Sequence, residues 1–288
     1  VAANENLDRD LDLGALAAVT DAEYDAMAPT LWPQRAGTQE SEGRFFAEGG
    51  FFTPDRRGRF IAVEDRAPAA ATDIAHPFVL NTGRTRDQWH TMTRTALAPP
   101  LNAHKPEPFV EIHPDTAATY QVLDNQLARI ESQWGSAIMK VNVTDSVRRG
   151  ELFVPMHWND QWARGARIGE LVNPVVDPIS GQPESKHTPC SIAPWLPQWR
   201  ALMLSRKNLP LPQCDYAAKV RGQHFYRYEL CGQGTLESLA ETARQFAAMA
   251  SEPAIEYLDP PRHSFRCAWI NDSGLHTCIY IGPGNTST

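Results

Sequence analysis

Phe78-Val79-Leu80-Asn81-Thr82 is the stretch from which the fold is read: three apolar residues that end on two polar ones. Four more short runs follow it, Phe109-Val110-Glu111-Ile112, Leu127-Ala128-Arg129-Ile130, Ala137-Ile138-Met139-Lys140-Val141-Asn142-Val143 and Glu151-Leu152-Phe153-Val154. Each is bounded by turn residues, a spacing that predicts short strands of a small β-barrel or sandwich. Asp115 to Tyr120 follow Pro114, and proline is preorganised for the first position of a helix, so a helical turn is expected between the second and third runs. A barrel with short helices fits this pattern best.

Working outward, the sequence divides into residues 1–74, a barrel over 75–190 and an extension over 191–288. In the first part Thr20 and Glu23 form a capping-box pattern ahead of a short helix. Arg44-Phe45-Phe46-Ala47 and Arg59-Phe60-Ile61-Ala62-Val63 are expected to pair as a hairpin across a long turn, before Pro68 and a run of alanines make a linker. Past Cys190 the chain is rich in Pro and Trp, with Pro194, Trp195, Pro197, Trp199, Pro210 and Pro212 imposing irregular or extended backbone. A small α+β unit is expected to close the chain. Leu236, Leu239, Ala243, Phe246 and Met249 recur at helical spacing, and Phe265–Ile270 and Leu275–Ile281 flank the turn at Asn271-Asp272-Ser273-Gly274.

Composition narrows the function. The 288 residues are 42% hydrophobic, enough for one substantial core or two modest ones. A formal net charge of -7 argues against nucleic acid, which calls for a basic face. No run approaches the roughly 18 apolar residues of a membrane helix. The five cysteines are widely spaced and never form C-x-x-C, and the nine histidines include no H-x-x-x-H pair, so a locally built metal site is not expected. Reduced thiols point to a cytoplasmic setting.

The chemistry concentrates in three stretches. Thr82-Gly83-Arg84-Thr85-Arg86-Asp87-Gln88-Trp89-His90-Thr91 turns a strand end into a loop crowded with donors. Arg84 can grip a phosphate bidentately, Gly83 permits close backbone approach, and Trp89 with His90 can contact a heteroaromatic ring. A nucleotide-like anion suits that set, although Trp89 filling a core gap and His90 capping a strand are ordinary fates for such residues. Glu107 to Asp115 carries carboxylates and His113 without any requirement that they converge. Phe153 to Asp160 leads through Asn173 and Asp177 to Lys186 and His187 on a long polar loop, and loops of that length commonly carry function.

Together Asn81-Thr82-Gly83-Arg84 with Gln88-Trp89-His90-Thr91, Glu111-Ile112-His113-Pro114, Pro155-Met156-His157-Trp158, and Asn173 with Asp177-Pro178 and Lys186 resemble the molybdopterin-dinucleotide-binding domain of the dimethyl-sulfoxide-reductase family. The likeness is greatest to its bacterial assimilatory nitrate reductases. It implies a six-stranded double-psi β-barrel holding the guanine dinucleotide end of a molybdenum bis(molybdopterin guanine dinucleotide) cofactor. Thr82, Gly83, Arg84, Gln88, Trp89, His90 and Thr91 would form the first cofactor loop, Asn173 and Lys186 the second, with His157 and Trp158 as further candidates. The family's four-cysteine iron-sulfur motif and molybdenum-ligating cysteine are not recognisable here. The resemblance therefore implies a fragment, inactive alone, whose parent reduces nitrate to nitrite with the remaining domains and an electron donor. The same domain of a formate dehydrogenase or periplasmic nitrate reductase, or a non-catalytic barrel used for interaction, are the alternatives.

Overall fold

The computed structural model describes residues 12–37, 44, 46–62, 64–178, 180–234, 255–272 and 274–284. Contacts divide the chain into Val1–Arg66 and Ala67–Thr288. In the first unit Thr20 caps α1 (Asp21–Ala26) with the full reciprocal box, its N–H donating to Glu23 Oε2 at 2.9 Å and its Oγ1 accepting from the Glu23 N–H. The Thr20 hydroxyl, donating to Glu23 Oε2 at 2.7 Å, and then the Thr20 N–H lower the pKa of the Glu23 carboxyl. The expected hairpin is absent from the described residues between 44 and 62, which form turns and irregular backbone instead. Phe46 sits at φ 61 and stacks on Phe51 at 4.7 Å between ring centroids, and a left-handed residue interrupts an extended strand.

The second unit opens with β1 (Phe78–Gly83), whose burial alternates from Phe78 as the period of a strand demands. A short helix α2 (Pro99–Asn102) follows, then β2 (Phe109–Ile112) and α3 (Pro114–Tyr120). Pro114 occupies the start of α3 as its fixed φ predicts, and His113 caps it through Nδ1, which accepts from the Asp115 N–H at 3.2 Å. The next strands are β3 (Leu127–Glu131), β4 (Ser136–Val143), β5 (Glu151–Pro155), β6 (Ala163–Arg164) and β7 (Thr188–Pro194). Six of them close a barrel in the order β1-β5-β2-β4-β3-β7. Two pairs are parallel, β1 with β5 and β2 with β4, and the rest are antiparallel. Leu80, Val110, Ile112, Ala128, Ile130, Met139 and Leu152 are wholly buried in its core.

The remaining strands are β8 (Trp199–Ser205), β9 (Tyr216–Arg221), β10 (Tyr226–Gly232), β11 (Ile255–Asp259), β12 (Ser264–Asn271) and β13 (Gly274–Pro283). With β6 they build a seven-stranded sheet in the order β11-β12-β13-β8-β10-β9-β6. The hairpin of β12 and β13 turns where the sequence places it, with Asn271 opposite Gly274. Where irregular or extended backbone and a small α+β unit were expected, the described residues form this sheet; the helix expected between Gly234 and Pro253 lies outside them.

A buried carboxylate joins barrel and sheet. Glu107, just ahead of β2, receives Lys140 from β4 at 3.1 Å, the Tyr216 hydroxyl from β9 at 3.1 Å and Arg227 from β10 at 3.5 Å. Burial and this carboxylate push the Tyr216 phenol well above its ordinary value.

Candidate functional site

Because β1 and β5 run parallel with Gly83 opposite Pro155, the chain leaves both strands at the same end of the barrel. The Met156 N–H donates to the Gly83 carbonyl at 2.9 Å, so the loops that follow start side by side. Lys186 reaches this end from the third stretch: its Nζ donates to the Thr82 carbonyl, and Thr82 Oγ1 donates to the Ser185 carbonyl at 2.7 Å. Residues that are some 100 positions apart in sequence thus meet on one rim.

Beyond Gly83 the chain forms an exposed arm. Arg84 lies over the Trp89 indole, 4.8 Å from its centroid, and the Trp89 and His90 rings meet edge to face at 4.5 Å. Arg84, Trp89, His90 and Thr91 are all exposed, Trp89 by 59%. No carboxylate pairs with Arg84 or Lys186 among the described residues, so both cations are available at the rim. Thr85 Oγ1 is buried beside them without a hydrogen-bond partner.

The arm's backbone is held by a side chain from the other parallel strand's loop. His157 is completely buried; its Nε2 accepts from the Thr85 N–H at 2.8 Å, and its Nδ1 lies 2.7 Å from the His90 carbonyl. A carbonyl accepts only, so the imidazole is neutral with its proton on Nδ1. Burial, with the nearby positive charge of Arg84, lowers its pKa, offset in part by the bond to His90. His90 and Met92 adopt left-handed backbone, φ 43 and 59, which costs about 1 kcal/mol for residues with a Cβ. The bond to His157 and burial of the Met92 side chain hold these conformations.

Several of the expected contact residues are turned inward. Gln88 is buried, donating to the Leu101 carbonyl and to Asn102 Oδ1, both at 3.2 Å, and accepting from Thr95 Oγ1 at 2.7 Å. Asn102 in turn donates to the Arg221 carbonyl of β9 at 3.1 Å, which ties the arm's far end to the sheet. Asn173 is buried among its own loop: Nδ2 donates to the His187 carbonyl at 2.9 Å and the Glu184 carbonyl at 3.2 Å, and Oδ1 accepts from the Val175 N–H at 3.0 Å. Gly83 faces protein, since a Cβ there would lie 2.3 Å from Phe153 Cε2. Trp158 is buried against Phe109 in the barrel core.

The second stretch does not converge. Glu107 belongs to the junction with the sheet, Glu111 accepts from Asn142 at 3.0 Å, and His113 caps α3. The described residues contain no group of three or more His, Cys, Asp and Glu placed to hold a metal, and their five cysteines are unbridged. Burial lifts Cys190, Cys214 and Cys231 to about 12, so these thiols stay protonated and unreactive at neutral pH. No helix among the described residues is long and apolar enough to cross a membrane. His157 was only a secondary candidate in sequence, yet it makes the bonds that shape the arm. The signal for its burial is the apolar company it keeps in Phe153-Val154-Pro155-Met156-His157-Trp158.

The six strands make a closed mixed barrel whose rim carries Arg84, Trp89 and Lys186. The family model for the molydopterin dinucleotide binding domain matches residues 78–189, from the first strand of the barrel into its last, and the chain carries a domain of that family. The chain is 42% identical over 224 residues to a nitrate reductase of Klebsiella oxytoca, covering 78% of this chain and 25% of that one. It is 32% identical over 165 residues to the assimilatory nitrate reductase catalytic subunit of Bacillus subtilis, covering 57% and 22%. It is also 32% identical over 136 residues to the F420-dependent formate dehydrogenase subunit alpha of Methanocaldococcus jannaschii, covering 47% and 20%. The chain is thus related to a portion of the molybdopterin nitrate reductases, and it spans about a quarter of the length of the curated relatives it matches.

Proposed function

We propose that this chain is the cofactor-gripping portion of a molybdenum nitrate reductase, and that its barrel rim holds the guanine dinucleotide end of a bis-molybdopterin cofactor. The observation that carries the reading is the exposed arm of Arg84, Trp89, His90 and Thr91 beside Lys186, on a barrel of the matching family. The residues fit the group. Two cations without carboxylate partners answer a diphosphate, the indole answers a flat heterocycle, and the orphaned Thr85 Oγ1 offers a further polar contact. Thr82 and Gly83 would contribute through their backbone, while Gln88 and Asn173 would act by holding the two loops in shape.

Two parallel strand pairs inside a closed six-stranded barrel agree with a double-psi arrangement. Residues 75–190 would then be the cofactor domain, 1–74 a remnant of the domain before it and 191–288 an extension. Molybdenum held by such pterins supplies two-electron oxygen-atom transfer, here nitrate to nitrite. This chain's share is binding and orientation. The assimilatory relative supports a role in nitrate assimilation; the proposal carries with it a cytoplasmic setting and an iron-sulfur cluster, molybdenum ligand and electron donor outside these 288 residues. The formate dehydrogenase relative supports the second reading, the same grip in a formate enzyme.

Calorimetric titration of the chain with GDP, a surrogate for the dinucleotide tail, tests the grip. Saturable binding that Arg84→Ala weakens about tenfold or more is expected, the loss of one charge-assisted bidentate contact. In the full-length enzyme the same substitution should lower molybdenum cofactor content and activity together. A variant with full cofactor content and no activity would assign Arg84 to chemistry instead of binding.

A further inference from the structure

We infer that His157 is the positioning residue of the cofactor arm, and that its protonation is a built-in acid release: the neutral imidazole clamps residues 85–90, and the imidazolium lets them go. This rests on the assignment of the arm to the dinucleotide and adds to it a residue that need not touch the ligand. The geometry is specific. One ring bridges the two ends of the arm, accepting the Thr85 N–H at Nε2 and donating from Nδ1 to the His90 carbonyl. Arg84 and Trp89, whose contact forms the exposed cation-aromatic face, lie just before and just within the clamped span.

A proton on Nε2 would face the Thr85 N–H donor, so that bond is lost when the ring charges. It would also place a buried positive charge near Arg84, and among the described residues the other titratable group against the ring is His90. Burial lowers the His157 pKa, so the folded state prefers the neutral ring. The sign follows: the clamp is fully present above the ordinary imidazole value and is lost as pH falls through the lower folded value. The Gly83 carbonyl and the Met156 N–H are paired through the backbone, so the strand ends stay joined while the arm alone is freed.

The test uses the whole chain and two readouts. By imidazole nitrogen NMR, His157 is expected in the Nδ1–H tautomer, titrating below an exposed imidazole, with the Thr85 amide signal shifting at the same midpoint. By calorimetry, GDP binding is expected to weaken about fivefold or more once the pH lies well below the His157 midpoint read by NMR. His157→Asn keeps a donor for the His90 carbonyl and does not titrate. It should bind GDP a few-fold more weakly at pH 7.5 and keep only the part of the acid response that comes from the terminal phosphate of GDP itself, whereas His90→Gln should retain the full acid limb. An Nε2–H tautomer, a Thr85 amide indifferent to His157, or an unchanged acid limb in His157→Asn overturns the inference. Should the NMR expectations hold while GDP fails to bind at any pH, the dinucleotide reading falls and the clamp stands.

Discussion

The two loops that meet at the barrel rim are held in opposite ways. The arm after β1 turns Arg84, Trp89, His90 and Thr91 outward, and its backbone is fixed from outside by His157 and, through Gln88, by Asn102 and the sheet. The loop from Asn173 to Thr188 is fixed from within, because one buried asparagine gathers Val175, Glu184 and His187 around its amide. A polar residue in a binding loop can therefore serve the ligand or the loop, and burial separates the two uses. Lys186 is exposed beside Asn173's hydrogen-bonded turn, and the division recurs within the arm, where Gln88 is buried and Trp89 is not.

Substitutions can break that division or sharpen it. The largest effect is expected at Asn173: Asn173→Ala strands buried carbonyls and an N–H, at about 2–4 kcal/mol of stability, read from urea unfolding of the chain. A loss below about 0.5 kcal/mol would mean that Asn173 does not staple its loop. Gly83→Ala comes next, at about 1–3 kcal/mol, because its Cβ would collide with the Phe153 ring. Phe153→Leu in the same chain should recover part of that loss, and failure to recover it would return Gly83 to the ligand. Trp89→Ala should leave stability within about 0.5 kcal/mol, as expected for an exposed side chain, while weakening GDP several-fold. A stability loss as large as that of Asn173→Ala would erase the distinction between the two loops.

The barrel was legible because five of its strands are dense apolar runs between turn residues, a pattern that burial in a closed sheet demands. Its sixth strand, Thr188–Pro194, was not read, since Pro189 and Pro194 argue against a strand until one sees where they fall in the pairing with Val79 and Ala128. The sheet was hidden in part for a related reason. Trp199–Ser205 follows a Pro-rich stretch and carries Arg200 among its apolar residues, and Tyr216–Arg221 carries a buried Lys219. Of the residues grouped in sequence as a candidate site, the sequence did not sort the buried from the exposed. Gln88 and Asn173 look like ligand contacts because nothing local announces that Leu101 and His187 will return to meet them.

The parallel pairing of β1 with β5 also sets an order of events. Thr85 and His157 are 72 residues apart, and the strands that bring them together cannot pair until the intervening β2, β3 and β4 have been made. Non-local parallel contacts form late, since the entropy of closing the long loop must be met before any bond rewards it. Lys186 arrives later still, from beyond β5, to reach Thr82. The rim is therefore among the last parts of the barrel to take shape, and a nascent chain that ends short of residue 186 has no complete grip to offer a ligand.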